Sequence, residues 1–373
     1  MPKIHIALVG KQTTPVCQVI EHVKPNQLIL LPSQDSHQYA EAVRTQFDAQ
    51  IDCDIYDLSV DDISAIRTVA VTIAEAIPQN YEVSLDLTSG VKPWALIFVE
   101  VFKEKLPQSD IYYVSLQTSK LINMSKSEVV GEVDFDYNMQ FRLLGHNFSD
   151  YTLFTEYTPK DDVALGALKG LYKKNSKRFT ELMMKFVDYV KLGNLSNADD
   201  INFEDKKGKV SWNARTQSMM IGLMDNQNVR FSSPHAWHLA TNTGWFEYYV
   251  AKILAQIFPP DQIFMNCHFK GSDNKDLNEV DIIVNTGKKL LFVECKTQIK
   301  DSNDVDKFAS VVRNYGALSS KALFVTYWEM YPNGREKCKN SGITTYFMSS
   351  NKDIEHVEKL SNLLNQIINK SNL

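Results

Sequence analysis

The chain has 373 residues, 44% of them hydrophobic and 23% charged, an ordinary globular composition long enough for two or three domains. A formal charge of -5 supplies no overall basic field for nucleic acid, so a nucleic-acid enzyme of this make-up relies on local patches. Five cysteines, at 17, 53, 267, 295 and 338, include no C-x-x-C pair, which argues against a disulfide framework or a cysteine zinc site.

The opening "MPKIHIALVG" has neither the long apolar core nor the cleavage site of a signal peptide. No apolar run reaches the roughly 18 residues needed to span a bilayer. The expected location is the cytoplasm, with no membrane partner. From residue 1 to about 150, strand-like runs ("IHIALVG", "QLILLPS", "DCDIYDL", "EVSLDLTSG", "IYYVSLQ") alternate with helical ones ("PVCQVIEHV", "SQDSHQYAEAVRTQF", "DDISAIRTVAVTIAEAI", "VKPWALIFVEVFKEKL"). That alternation predicts a mostly parallel sheet covered on both faces, with ligands outside the carboxyl ends of its strands. The polar segments there are 10–14, 32–36, 88–92 and 115–118. In "LDLTSGVKPWA", Asp86 ends a strand, Thr88, Ser89 and Gly90 turn the chain, and a helix starts near Lys92 and Pro93. Amide groups, hydroxyls and a lysine at a helix start make an anion cradle, and equally a plain capped turn. Neither G-x-G-x-x-G nor G-x-x-x-x-G-K-[ST] occurs, against a dinucleotide dehydrogenase and a P-loop NTPase.

Residues 151–230 read as a linking, partly helical region. "KGLYKKNSKRFTELMMKFVDYVKL" is a helix whose Lys169, Lys173, Lys174, Lys177 and Arg178 are better read as a solvated face than as phosphate contacts. A hairpin-like "KKGK" follows.

From 231 to 373 the pattern is α/β again: a helix "TGWFEYYVAKILAQIF" stopped by Pro259 and Pro260, a hairpin, a helix "DVDKFASVVRNYGAL", strands "KALFVTYW" and "ITTYFMSS", and a terminal helix from about 352. The hairpin "NEVDIIVNTGKKLLFVECKTQ" sets Glu279, Asp281, Glu294 and Lys296 in apolar strands. Alternation puts Glu279 with Asp281, and Glu294 with Lys296, on shared faces. A turn near 285–288 brings Asp281 within cross-strand reach of Glu294. Like charges converging in a sheet need a neutraliser, and carboxylates with the Cys295 backbone carbonyl are hard oxygen ligands suited to Mg2+ or Mn2+. Glu247 on the preceding helix completes the set, and Lys296 is placed to orient water or balance phosphate charge. The bland alternative is a salt-bridged strand pair. Asp276 and Asn278 read as shaping the loop that enters the strand. A zinc site from His235, His238, Cys267 and His268 is disfavoured by spacing. Trp237, Trp245 and Phe246 read as helix-core packing before base stacking.

Glu247, Asp281 and the "ECK" of Glu294, Cys295 and Lys296, in the order helix, strand, turn, strand, resemble the restriction-endonuclease-like PD-(D/E)xK nucleases, with Val280 where the motif name has proline. "VVRNYGAL" resembles the helix those enzymes place beside the site, with Arg313 or Asn314 reaching phosphate or water. The N-terminal half resembles the CARF domain, the Rossmann-like sensor of cyclic oligoadenylates, with "DLTSGVKPW" at its ligand loop and 10–14 at its first strand-end loop. The resemblance implies an N-terminal Rossmann-like CARF domain (1–150) and a C-terminal restriction-endonuclease-like α/β domain (231–373), as in ancillary nucleases of type III CRISPR defence. It further implies a homodimer that binds cyclic tetra-adenylate through Gly10, Thr13, Thr14, Ser33, Thr88, Ser89, Gly90, Lys92 and Ser115, then cuts single-stranded DNA and RNA, or nicks duplex DNA, with Mn2+ or Mg2+. A two-fold ligand suits a two-fold dimer. Three other readings stay open: a regulator with structural acids, a sensor that cleaves its own ligand, and a constitutive restriction or repair nuclease.

Overall fold

The computed structural model describes residues 1–116, 118–133, 135–148, 150–224, 227–241, 243–270, 276–299, 303–316, 320–348 and 353–369. β1 (Lys3–Val9), α1 (Thr14–Val23), β2 (Gln27–Pro32), α2 (His37–Phe47), β3 (Asp52–Ile55), α3 (Ile63–Ala76), β4 (Glu82–Asp86), α4 (Lys92–Lys105) and β5 (Asp110–Ser115) alternate as expected. Their strands pair in parallel in the order β3-β2-β1-β4-β5, and an antiparallel hairpin, β6 (Lys120–Asn123) and β7 (Glu128–Glu132), extends the sheet.

Both faces of this sheet are covered because its strands are apolar without alternation. Ile4, Ile6 and Leu8 of β1 pack towards α3 and α4, whereas Ala7 and Val9 pack towards α1 and α2. The chain winds outward from β1 to β3 and then crosses back to β4. The switch point therefore lies between β1 and β4, and the loops at 10–14 and 87–91 leave side by side there.

α5 (Tyr137–Leu143) and β8 (Asp150–Leu153) lead into α6 (Pro159–Leu192), which breaks at Asn175 (φ -152°, ψ 71°). The Asn175 Oδ1 accepts the Arg178 amide at 3.2 Å and re-caps the second half. Beyond α6 the chain forms an antiparallel meander, β9 (Ile201–Asp205), β10 (Gly208–Asn213), β11 (Ser218–Leu223) and β12 (Gln227–Ser232). Of this sheet the sequence pattern shows only "KKGK", the turn between β9 and β10. Val210, Trp212, Ile221 and Phe231 pack on Leu182 and Phe186 of α6 in one core.

α7 (Ala236–Ala240), α8 (Gly244–Leu254), β13 (Ile263–Lys270), β14 (Asp276–Asn285), β15 (Leu290–Lys296), α9 (Asn303–Tyr315), β16 (Lys321–Thr326), α10 (Pro332–Asn340), β17 (Ile343–Phe347) and α11 (Asp353–Asn369) complete the chain. The last sheet has the order β17-β16-β15-β14-β13-β8 and is parallel only from β15 to β17. α8 and α11 share a core on one face; α9 and the aromatic residues Phe141 and Phe148 cover the other. α5 thus belongs to both halves, and Gln140 Nε2 donates to the Gly316 carbonyl at 3.2 Å.

Candidate active site

Strand alternation fails midway along β13. Met265 pairs with Ile282 and both enter the α8 core, yet Cys267 pairs with Val280 and both enter the opposite core. Between them Asn266 takes the left-handed conformation (φ 52°). Opposite that irregularity sits Asp281. The β14–β15 register, Ile282 with Val293 and Ile283 with Phe292, continues to Asp281 opposite Glu294.

Asp281 is buried and its Oδ2 accepts the Cys295 amide at 2.7 Å. Lys296 Nζ lies 2.6 Å from Glu294 Oε1 and 3.7 Å from Asp281 Oδ2. α8 enters the sheet face almost wholly buried and carries Glu247, 5% exposed, to the same spot. Desolvation pushes all three carboxyls up: Glu247 to about 8, where Glu279 and Glu294 add to the effect and Lys296 opposes it; Asp281 to about 7, with Glu247 adding; and Glu294 to about 8, with Asp281 adding. Burial alone lowers the Lys296 value, but Asp281 and Glu294 overcome it and hold the ammonium protonated, well above its ordinary value.

Once ionised, two buried acids and the half-buried Glu294 outweigh the one lysine, and that is the charge a divalent cation offsets. Asp281, Glu294 and the Cys295 carbonyl are the oxygen donors that could hold one, with Glu247 adjoining. Among the described residues no group of three or more His, Cys, Asp or Glu side chains is arranged to hold a metal ion. Lys296 stands among the acids instead. The donor types fit a hard cation.

His238, which the sequence pattern places in loop packing, touches this site. Its Nε2 is 3.5 Å from Glu247 Oε2, and a Cβ on Gly244 would meet the ring at 2.7 Å, so glycine at the start of α8 makes room for it. His235 stacks on Tyr157 (4.1 Å between centroids) and faces Asp161, while Cys267 lies in an apolar core, so these residues do not assemble a zinc site. Trp245 and Phe246 are buried in the core, as expected, and Trp237 packs edge-on against Trp212. Glu279 is exposed but close enough to raise both Glu247 and Asp281. Arg313 and Asn314 lie exposed on α9, whose buried residues pack on the sheet face opposite α8. Asn278 donates to the Tyr315 hydroxyl at 2.8 Å; the side chain of Asp276 lies outside the described residues. Lys169 pairs with Asp353 and sits over the Tyr249 ring, while Lys173, Lys174 and Lys177 lie on the outer side of α6.

A second cluster lies at the strand ends of the first sheet. Gly90 (φ 81°) packs so closely that a Cβ would fall 2.9 Å from Leu8 Cβ, and the Gly10 amide donates to Ser89 Oγ at 2.9 Å. Thr88 is committed internally: its hydroxyl donates to Asp86 and accepts the Val114 amide at 2.9 Å. Asp86 is fully buried, and burial pushes its carboxyl up to about 7 against the two Thr88 hydrogen bonds. Ser33 is engaged with Ser36, and Lys92 is exposed at the start of α4. Thr13, Thr14 and Ser115 line a cleft of about 60 Å³ beside this cluster, with Lys11, Gln140 and Lys288.

Residues 4–143 match the family model described as the Card1 CARF domain, and residues 235–344 that of the Card1-like endonuclease domain. No curated protein matches the chain. Among solved structures, Can2 from Sulfobacillus thermosulfidooxidans in complex with cyclic tetra-adenylate is 17% identical over 99% of this chain and 100% of its own, with a TM-score of 0.68. Protein VC1899 from Vibrio cholerae is 15% identical over 99% of both chains, with a TM-score of 0.73. A type III CRISPR defence DNA nuclease activated by cyclic oligoadenylate is 17% identical over 88% of this chain and 45% of its own, with a TM-score of 0.51. At these identities the likeness is one of fold. The two family matches place the chain among the Card1-like proteins, in which a CARF domain is joined to an endonuclease domain.

Proposed function

We propose that this protein is an endonuclease of type III CRISPR defence, switched on by cyclic tetra-adenylate and dependent on Mn2+ or Mg2+, that cuts single-stranded DNA and RNA. The observation that carries the reading is the convergence of Glu247, Asp281, Glu294 and Lys296, from α8, β14 and β15, in a chain that also holds a CARF domain. The activator is supported by the Can2 structure, which contains cyclic tetra-adenylate.

A divalent cation in this site supplies Lewis acidity, lowering the pKa of water and offsetting charge on a phosphodiester. Asp281 and Glu294, with the Cys295 carbonyl, would hold it, and Glu247 closes the site from the helix side. The Asp281 carboxylate is aimed by the Cys295 amide, which fixes one oxygen and leaves the other. Lys296 is held as a cation, so it orients water or balances phosphate charge and does not act as the base.

The ligand contacts proposed for the sensor are Gly10, Thr13, Thr14, Ser33, Ser89, Gly90, Lys92 and Ser115, with Thr88 bracing β4 against β5. The active form is a homodimer. The starts of α3 and α4 support this, because Ile63, Val91 and Leu96 leave an uncovered apolar face beside the ligand loops. A ligand switches such a dimer only by binding its active arrangement more tightly.

The test is cleavage of labelled single-stranded DNA and RNA with manganese, with and without cyclic tetra-adenylate. Cutting only when both are present is the expected result. Equal cutting without the nucleotide overturns the gating, and no cutting of either strand under any condition overturns the nuclease assignment.

A further inference from the structure

Lys288 belongs to the turn between β14 and β15, yet it lines the cleft at the strand ends of the first sheet. The hairpin that carries Asp281 and Glu294 therefore reaches into the sensor at its tip. Lys11, Thr13, Thr14, Ser115 and Ser119 face the same space, and no acid is among the described residues that line it. Thr13, 4% exposed, stands at the N-cap of α1 but makes no cap hydrogen bond through its side chain. Its hydroxyl is thus not spent on the helix start, and it borders a cleft with two lysines and the first amides of a ten-residue helix. A volume of about 60 Å³ suits one compact anion.

We propose that the endonuclease domain supplies part of the sensing site: Lys288 meets a phosphate of the bound nucleotide, together with Lys11 and the Thr13 and Ser115 hydroxyls. This rests on the reading of the sensor as a cyclic tetra-adenylate receptor and adds the physical link to the cutting site. From Leu290, two residues past Lys288, to Glu294 is four steps of strand, or roughly 13 Å. A phosphate held between Lys11 and Lys288 ties the hairpin tip to the first sheet, and the far end of the same hairpin positions the two acids. The ligand then biases the cutting site through one stiff element and needs no separate relay.

The experiment is titration of cyclic tetra-adenylate into the full-length protein and its Lys288→Ala, Lys288→Arg and Lys103→Ala variants, with hydrogen exchange of residues 290–296 followed in each. Expected are affinity about tenfold weaker in Lys288→Ala, largely restored in Lys288→Arg and unchanged in Lys103→Ala. Ligand should slow exchange at 290–296 in the unaltered protein and far less in Lys288→Ala. If the unaltered protein binds the ring and Lys288→Ala binds it equally, the Lys288 contact is wrong and the receptor reading stands. If the unaltered protein does not bind the ring, both fall. Inorganic phosphate, titrated separately, distinguishes a general anion site: competition with the ring places a phosphate in the cleft, and its absence removes it.

Discussion

At Lys296 two carboxylates compete for one ammonium group. The 2.6 Å contact goes to Glu294, and Asp281 keeps the backbone amide of Cys295 as its nearer partner. Removing the lysine leaves two buried acids and the half-buried Glu294 with no cation. Lys296→Ala is therefore expected to cut nucleic acid at least 100-fold more slowly than the unaltered protein, and Asp281→Asn likewise, with melting temperature followed to separate chemistry from unfolding. Full cleavage rates in both variants would end the assignment. At Gly90 the constraint is steric. A Cβ there meets Leu8 and Trp94 from a positive φ, so Gly90→Ala is expected to cost about 2 kcal/mol or more in denaturant unfolding. The convergence of Glu247, Asp281, Glu294 and Lys296 was legible in the sequence because charge inside apolar strands is costly to bury unless it is gathered with a partner. Thr88 shows the limit: a hydroxyl after a strand end reads as a ligand group, and only the fold shows that it holds Asp86 and the Val114 amide. His238 could have been assigned from its place six residues before Gly244 only by knowing that α7 folds back on α8.

Among the elements, the parallel strands and their covering helices were readable because continuous apolar runs alternate with period-3.6 helices. The hairpin of β6 and β7 and the meander of β9–β12 were not, because their strands ("INFEDKKGKVSWN") are polar on the outward face and short. Their inward residues become apolar in pattern only once α6 is known to lie beneath them. β13 was hidden for a different reason: its alternation is interrupted at Asn266, and the interruption is the feature that shapes the site. α6 offers an element-scale test. Asn175 breaks the helix and caps its second half, so Asn175→Ala should lose the cap bond to Arg178. The expected loss is about 1 kcal/mol by chemical denaturation. A gain instead would mean that the break is strain imposed from outside.

At the scale of the molecule, buried acids set the pH response. Glu247, Asp281, Glu294 and Asp86 have folded-state pKa values of about 7 to 8, above their unfolded values. Their neutral forms suit the fold, so this stability is fully present below about pH 4 and is lost as pH rises through 7 to 8. The loss is on the order of several kcal/mol. His5, buried between β1 and β4 and lowered to about 3, acts in the opposite sense, its contribution present above pH 6.5 and lost as pH falls towards 3. Metal-free protein should therefore melt at lower temperature at pH 8 than at pH 5, and manganese or magnesium should recover much of the difference at pH 8. An Asp281→Asn variant should show little recovery. A melting temperature flat from pH 5 to 8 and indifferent to metal would contradict the cation site.

β8 closes the last sheet from a point in the chain more than eighty residues ahead of α7. It lies outside the 235–344 segment that matches the endonuclease family. Cutting the chain between the two would strip β13 of its neighbour and leave "IFMNCHFK", mostly apolar, with a row of open amides and carbonyls ready to pair with another molecule. A fragment of residues 235–373 should aggregate on light scattering, and one that begins before Asp150 should resist doing so. The endonuclease domain of this protein is thus not a cassette bounded by its family match; it carries its insulation in the segment that follows the CARF domain.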